Sequence, residues 1–231
     1  YDSWSLIGFS LRSIFIKYPF EALKYIFTKT GLFTSTVAEA GGFIRSRGDI
    51  EVPDIQLHFA PGMIVDHGRV IQWGHGLSCH TCLLRPKSRG EVTLNSADPM
   101  DDPKIDPKFL SDPEDMKVMV DGYKKMMKIL NEDSFSKYTS KHVHRPVDLG
   151  DDEDIEQAIR EEADTVYHPV GTCMMGHDEM AVVNDKLKVH KMDGLRVIDA
   201  SIMPTLVGGN TNAPTIMIGE KASDIILDHW A

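Results

Sequence analysis

Apolar residues are spaced along this chain in two rhythms. At Met116, Val120, Tyr123, Met127 and Leu130 they return every three or four positions, which predicts an amphipathic helix over residues 112–130 with that stripe as core. Shorter runs, V-A-E-A-G-G-F-I-R at 37–45 and I-Q-L-H-F-A at 55–60, read as strands around a turn at 48–53. Residues 77–85 and 91–95 read as two more strands, joined through a turn at 86–90. The segment 3–30 is rich in Leu, Ile, Phe and Tyr, with Arg12, Lys17, Lys24 and Lys29 interspersed, and predicts two amphipathic helices broken at Pro19. Such helices pack on the rest of a protein or, being basic, lie against lipid or line a substrate channel. Residues 98–107 read as a Pro/Asp-rich loop. Residues 151–164 read as an acidic helix whose N-terminal charge suits the helix dipole and whose charge run is a solvated face.

The stretch 194–222 has its own grammar of strand, loop and helix. Residues 195–198 form a short apolar run consistent with a buried strand, and Pro204, Gly208 and Gly209 punctuate a loop. Asn210 or Asn212 is placed to cap a helix beginning near Ala213, with Pro214 in its first turn, where a missing N–H costs nothing. A helix start reached through such a loop offers N–H groups and a positive dipole end, which suits an electron-rich ligand.

Composition changes this picture mainly by exclusion. At 231 residues the chain is long enough for one large domain or two small ones, and a net charge of −10 argues against a nucleic-acid partner. Three cysteines, two of them in C-H-T-C, make no disulfide framework and favour a reducing, cytoplasmic setting. No long uncharged apolar run is present. Cys79, His80 and Cys82 do not form a zinc site, since Cys79 and His80 point to opposite faces of a strand and no second Cys pair exists. The acids of 98–107 lack the glycine and terminal glutamate of a calcium loop. His142 and His144 alternate on one side of a strand and read as surface residues, so no metal is expected.

Three motifs carry a resemblance. Y-H-P-V-G-T-C-M-M-G at 167–176, D-A-S-I-M-P at 199–204 and G-N-T-N-A-P-T-I-M-I-G-E-K at 209–221 resemble the C-terminal signatures of the GMC (glucose–methanol–choline) flavin oxidoreductases. Within that family the chain is most similar to the choline and medium-chain alcohol dehydrogenase branch. The G-x-G-x-x-G fingerprint of a dinucleotide-binding unit is absent from this sequence. In the family it sits near the N-terminus of a chain more than twice as long, so the resemblance implies a C-terminal fragment.

The implied fold is α+β: an antiparallel sheet flanked by helices as substrate-binding portion over 1–145, and a segment 146–231 that contributes catalytic residues and completes an FAD-binding α/β domain. The implied reaction is oxidation of the CH–OH group of choline or a primary alcohol to the aldehyde, with FAD as cofactor. His168 is implied as the base, a role that suits the imidazole side chain. Asn212 is implied to hold the substrate oxygen through its amide, with Asn210 as the rival two residues away. Asp199 and Ala200 are implied to contact the phosphate–ribose portion of FAD, and Asn212, Ala213 and Thr215 the isoalloxazine edge. Asp199 also suits plain loop capping. Glu39 is implied to pair with a trimethylammonium group, although it equally suits a solvated strand end and does not settle the substrate.

Alternatives stay open at this stage. The chain alone, lacking the fingerprint, reads as a non-catalytic substrate-binding or assembly module, and the longer protein as an oxidase that uses oxygen. A hydrolase using Ser201 with His168 lacks a G-x-S-x-G elbow. Partners expected are a small-molecule alcohol and, for the longer protein, a membrane reached through its electron acceptor. The apolar face of 195–198, without its sheet, is expected to dock on the substrate domain or pair two chains as a homodimer.

Overall fold

A computed structural model of the chain describes residues 8–136, 138 and 145–230. His142 and His144 lie outside the described residues. The chain divides into two compact units, one of Tyr1–Leu83 with Val118–Glu162 and one of Leu84–Lys117 with Ala163–Ala231. The architecture is mixed helix and antiparallel sheet, as the α+β reading expects.

In the first unit, β1 (Gly8–Phe9) pairs antiparallel with β4 (Gly74–His75). Three further strands, β2 (Ala40–Ile44), β3 (Ile55–Ala60) and β5 (Ser78–Leu83), form an antiparallel sheet in the order β2-β3-β5, with β3 central. The register sets Ile55 against both Ile44 and Leu83, which builds an aliphatic row at one end of the sheet. Ile55 is fully buried and gathers Leu57, Met126 and Met127 into one core. Met126 and Met127 come from α2 (Pro113–Leu130), whose methionine stripe is core as its spacing predicts. Gly122 lets that helix approach: a Cβ there would lie 2.8 Å from Thr81 Cγ2 and 2.9 Å from Ile55 Cδ1. The acidic helix is α3 (Asp152–Glu162), with Ile155, Ala158 and Ile159 buried and its acids outward. Arg145 grips it through Asp154 Oδ1 at 2.6 Å and Glu161 Oε2 at 3.4 Å.

Expectations are corrected for residues 11–28 in this unit and for residues 77–107, most of which belong to the second unit. The helix before residue 30 is not broken at Pro19. Residues 11–28 wind without interruption, with a π turn at Ser13–Lys17 running directly into α1 (Tyr18–Thr28). A π turn makes room that the ring of Pro19 denies to an ordinary i−4 bond. Its amphipathicity is also inverted. Ser13, Lys17 and Glu21 are the buried stripe, while Phe15 and Phe27 are 73% and 80% exposed. Polar partners explain the inward stripe: Ser13 Oγ meets His75 Nε2 at 2.9 Å, and Glu21 Oε2 accepts the Leu32 N–H at 2.8 Å. The expected hairpin between 77–85 and 91–95 is absent as well. β5 pairs with β3, and β6 (Glu91–Thr93) pairs instead with β7 (Lys104–Asp106). That second strand falls in the expected 98–107 loop. Its three residues lie between Pro103 and Pro107, so composition hid it.

Cys79 supplies a pH test of the sheet. Burial pushes its thiol from an ordinary 9.0 up to about 11. Between those values the unfolded chain releases a proton that the folded chain keeps, so folding stability falls as pH rises through the window. Wild type is expected to lose stability relative to Cys79→Ala between pH 9 and 11, read from urea midpoints, and to track it below pH 8.

The second unit has a core of Val183, Leu187, Ile202, Met203, Ile218 and Ala222. The last two come from α4 (Asn212–Trp230). The expected strand at 195–198 does not form. Its residues Val197 and Ile198 do face this core, but pairing is limited to one antiparallel bridge, Lys188 to Arg196. Lys191 and Gly194, at φ +60° and +78°, make the turn that brings Arg196 back beside Lys188. Elsewhere in this unit Asp115, 3% exposed, accepts the Lys87 and Ser88 N–H groups at 2.8 Å each and the Ser88 hydroxyl at 2.6 Å. One carboxylate therefore shapes the turn at 86–90.

Candidate active site

His168 is delivered by a turn rather than a strand. Tyr167 before it takes a left-handed φ of +62°, costly for a bulky residue, with its N–H held by Thr165 Oγ1 at 2.9 Å. Gly171, at φ +89°, turns the chain again, and residues 173–175 then lie along the short helix Ala200–Ile202. The Cys173 N–H donates to Ser201 O at 3.0 Å and the Met175 N–H to Ile202 O at 2.8 Å. These bonds fasten the two sequence motifs together. Cys173 contributes its backbone only.

The loop into α4 completes the cluster. Gly208 packs under Arg85: a Cβ on Gly208 would lie 2.6 Å from the Arg85 guanidinium. Thr211 is the cap of α4, because its carbonyl accepts the first helical N–H, from Thr215 at 3.0 Å. Neither Asn210 nor Asn212 caps the helix, in contrast to the sequence expectation. The side chains of 210 and 211 turn to the histidine instead. Asn210 Nδ2 stands 3.3 Å from His168 Nε2, and Thr211 Oγ1 stands 2.7 Å from His168 Nδ1. Both ring nitrogens are thus engaged. His168 is half-buried, Thr211 is buried, and Asn210 is exposed.

Asn212 and Ala213 are the first two residues of α4, both exposed, and no hydrogen bond joins Asn212 to the His168 ring. Their N–H groups have no intrahelical acceptor, Pro214 has none to offer, and the helix end is positive. That donor set fits an acceptor-rich group such as a flavin edge. Thr215 turns its hydroxyl onto Thr211 O at 2.7 Å. Asp199 caps the helix Ala200–Ile202 through Ser201 N–H at 2.7 Å, and Ala200 opens it. Capping occupies one carboxylate oxygen.

Glu39 belongs to the other unit. It is exposed and lines a shallow cavity of about 240 Å³ with Glu21, Lys24, Gly31, Leu32, Ser35 and Pro61. The chain enters it through a strained γ-turn: Val37 has φ +70°, and the Ala38 N–H donates to Thr36 O at 2.9 Å. That strain delays β2 to Ala40, three residues after the expected start.

Sequence reasoning missed Thr211, Arg85 and Gly208. Only Gly208 left a trace, as a turn signal. Among the described residues no three His, Cys, Asp or Glu side chains converge as a metal site, and no helix is long and apolar enough to cross a membrane.

Comparison with known proteins places the cluster in context. Residues 86–219 match the family described as GMC oxidoreductase. The chain is 50% identical over 203 residues to an alcohol dehydrogenase [acceptor] of Pseudomonas putida, covering 88% of this chain and 37% of that one. It is 42% identical over 208 residues to an oxygen-dependent choline dehydrogenase of Cronobacter sakazakii, covering 90% and 37%. Its fold is similar to that of formate oxidase of Aspergillus oryzae, with a TM-score of 0.84 at 26% identity over 92% of this chain and 42% of that one. The chain therefore spans well under half the length of these relatives. With the motifs at 167–176 and 199–204 inside the matched residues and most of the third, the chain belongs to the GMC oxidoreductase family.

Proposed function

We propose that this chain is the C-terminal part of an FAD-dependent oxidoreductase that converts the CH–OH group of choline or a primary alcohol to the aldehyde. The observation that carries the reading is the His168 ring, held at both nitrogens beside the exposed start of α4. His168 takes the hydroxyl proton, and an asparagine amide donates to the oxygen as charge develops on it. Asn210 takes this second role in place of the expected Asn212, because it is the amide beside the ring. Asp199 and Ala200 hold the ribose–phosphate portion of FAD, and Asn212, Ala213 and Thr215 face the edge of its ring system. Bound FAD supplies the acceptor for the hydride that leaves carbon. Glu39 serves as a cation-pairing group where the substrate carries one.

The test is anaerobic flavin reduction in the full-length protein, with choline and with a medium-chain alcohol as donors. Reduction by choline alone assigns Glu39 its cation role, and reduction by the alkanol alone removes it. Asn210→Ala is expected to slow reduction by about 10²–10³-fold, the cost of one lost donor to a developing oxyanion. Asn212→Ala is expected to cost roughly tenfold or less by the same measure. The reverse order returns the role to Asn212, and no reduction by either donor rejects the substrate class.

A further inference from the structure

A threonine that caps a helix ordinarily turns its hydroxyl back onto the N–H of the second or third helical residue. In α4 the third residue is Pro214, which has no N–H. Ala213, the second residue, keeps an N–H, but the Thr211 hydroxyl turns to His168 Nδ1 at 2.7 Å instead, with the threonine only 8% exposed. A buried hydroxyl at that distance fixes the ring plane as firmly as one contact can.

The two contacts together choose a tautomer. A neutral imidazole carries one N–H, and the nitrogen without it accepts. The Asn210 amide nitrogen, which stands toward the ring, can only donate, so Nε2 is the accepting nitrogen. The N–H then sits on Nδ1 and donates to Thr211 Oγ1. At 3.3 Å the Asn210 contact is the longer of the two and the more readily exchanged. A substrate hydroxyl entering between them would donate to Nε2 and accept from Asn210.

We propose that Thr211 is a positioning residue that holds His168 in the Nδ1–H tautomer and so leaves Nε2 as the nitrogen that takes the substrate proton. This rests on the reading of His168 as the base. Thr211 touches neither substrate nor cofactor in this role, and it acts through the ring. The wrong tautomer would present an N–H to a hydroxyl that must give up a proton, which stops the step without weakening binding.

The experiment pairs ring ¹⁵N NMR with kinetics on the full-length flavoprotein, labelled with ¹⁵N-histidine. The His168 signals are identified by their loss in His168→Gln. Wild type and Thr211→Ser are expected to show a protonated Nδ1 and a bare Nε2. Thr211→Val, which keeps the shape and loses the oxygen, is expected to show a tautomer mixture. Its kcat is expected to fall roughly tenfold or more with KM little changed, and Thr211→Ser to restore it. A protonated Nε2 in wild type overturns the proposal, as does an unchanged ring spectrum in Thr211→Val. If the Thr211→Val spectrum shifts while His168→Ala turns over at the wild-type rate, the tautomer assignment stands and the base reading fails.

Discussion

His168→Ala is expected to lower kcat/KM for CH–OH oxidation by about 10²–10⁴-fold, the range that a positioned general base contributes. The structure supports the upper part of that range. The imidazole is not a floppy surface side chain: a strained Tyr167 backbone aims it, and two hydrogen bonds of 2.7 and 3.3 Å hold its plane. Organisation of this kind is lost entirely on truncation, and a water that replaces the ring inherits neither the direction nor the basicity. Because Thr211 and Asn210 outlast the ring in the variant, binding should suffer less than chemistry, so the loss belongs in kcat rather than KM. Flavin content and absorbance measured beside the rates separate a missing base from a disturbed cofactor. His168→Ala that reduces its flavin as fast as wild type ends the assignment.

How much of this was legible in the sequence depends on the physical range of each signal. The stripe at Met116, Val120 and Met127 and the strand I-Q-L-H-F-A are local patterns, and both appear as expected, the three helix residues being buried and Met127 sharing a core with Ile55 and Leu57. The motifs around His168 and Asp199 were legible through family resemblance, and the structure adds that backbone bonds from Cys173 and Met175 join them. The failures share a cause. Residues 195–198 have the composition of a strand, yet a strand needs a partner, and 195–198 find one only at the single bridge to Lys188. Residues 11–28 have the hydrophobicity of a packed helix, yet Glu21 and Ser13 found polar partners at Leu32 and His75, far along the chain, and carried their own face inward. Thr211 was invisible because its identity says only that it can cap. Pro214, three residues on, removes one of the two N–H groups that compete for its hydroxyl, whereas the sequence pattern credits that proline to helix initiation alone.

The second large effect is expected at Ile55, where truncation to alanine should destabilise the first unit by about 2–5 kcal/mol. Ile55 is fully buried, sits between Ile44 and Leu83 in the register of the sheet, and touches the helix where Gly122 lets it close. The cost at such a site depends on whether neighbours can collapse into the space. Here the sheet fixes one side and the backbone of α2 the other, so the cavity stays open and the cost falls in the upper half of the range. Phe43, one residue before Ile44 on β2 and 53% exposed, is the control: the same truncation there removes a larger side chain from a wetter place and should cost about 1 kcal/mol or less. Native-state hydrogen exchange of the β3 amides measures both. Ile55→Ala should speed exchange by about 400-fold or more, the equivalent of about 3.5 kcal/mol, and Phe43→Ala by less than about tenfold. Equal effects would mean that the row through Ile55 is not the core of the sheet. Faster exchange in Gly122→Val than in either would place the limiting contact in the approach of the helix, since a side chain there must displace Ile55 or Thr81.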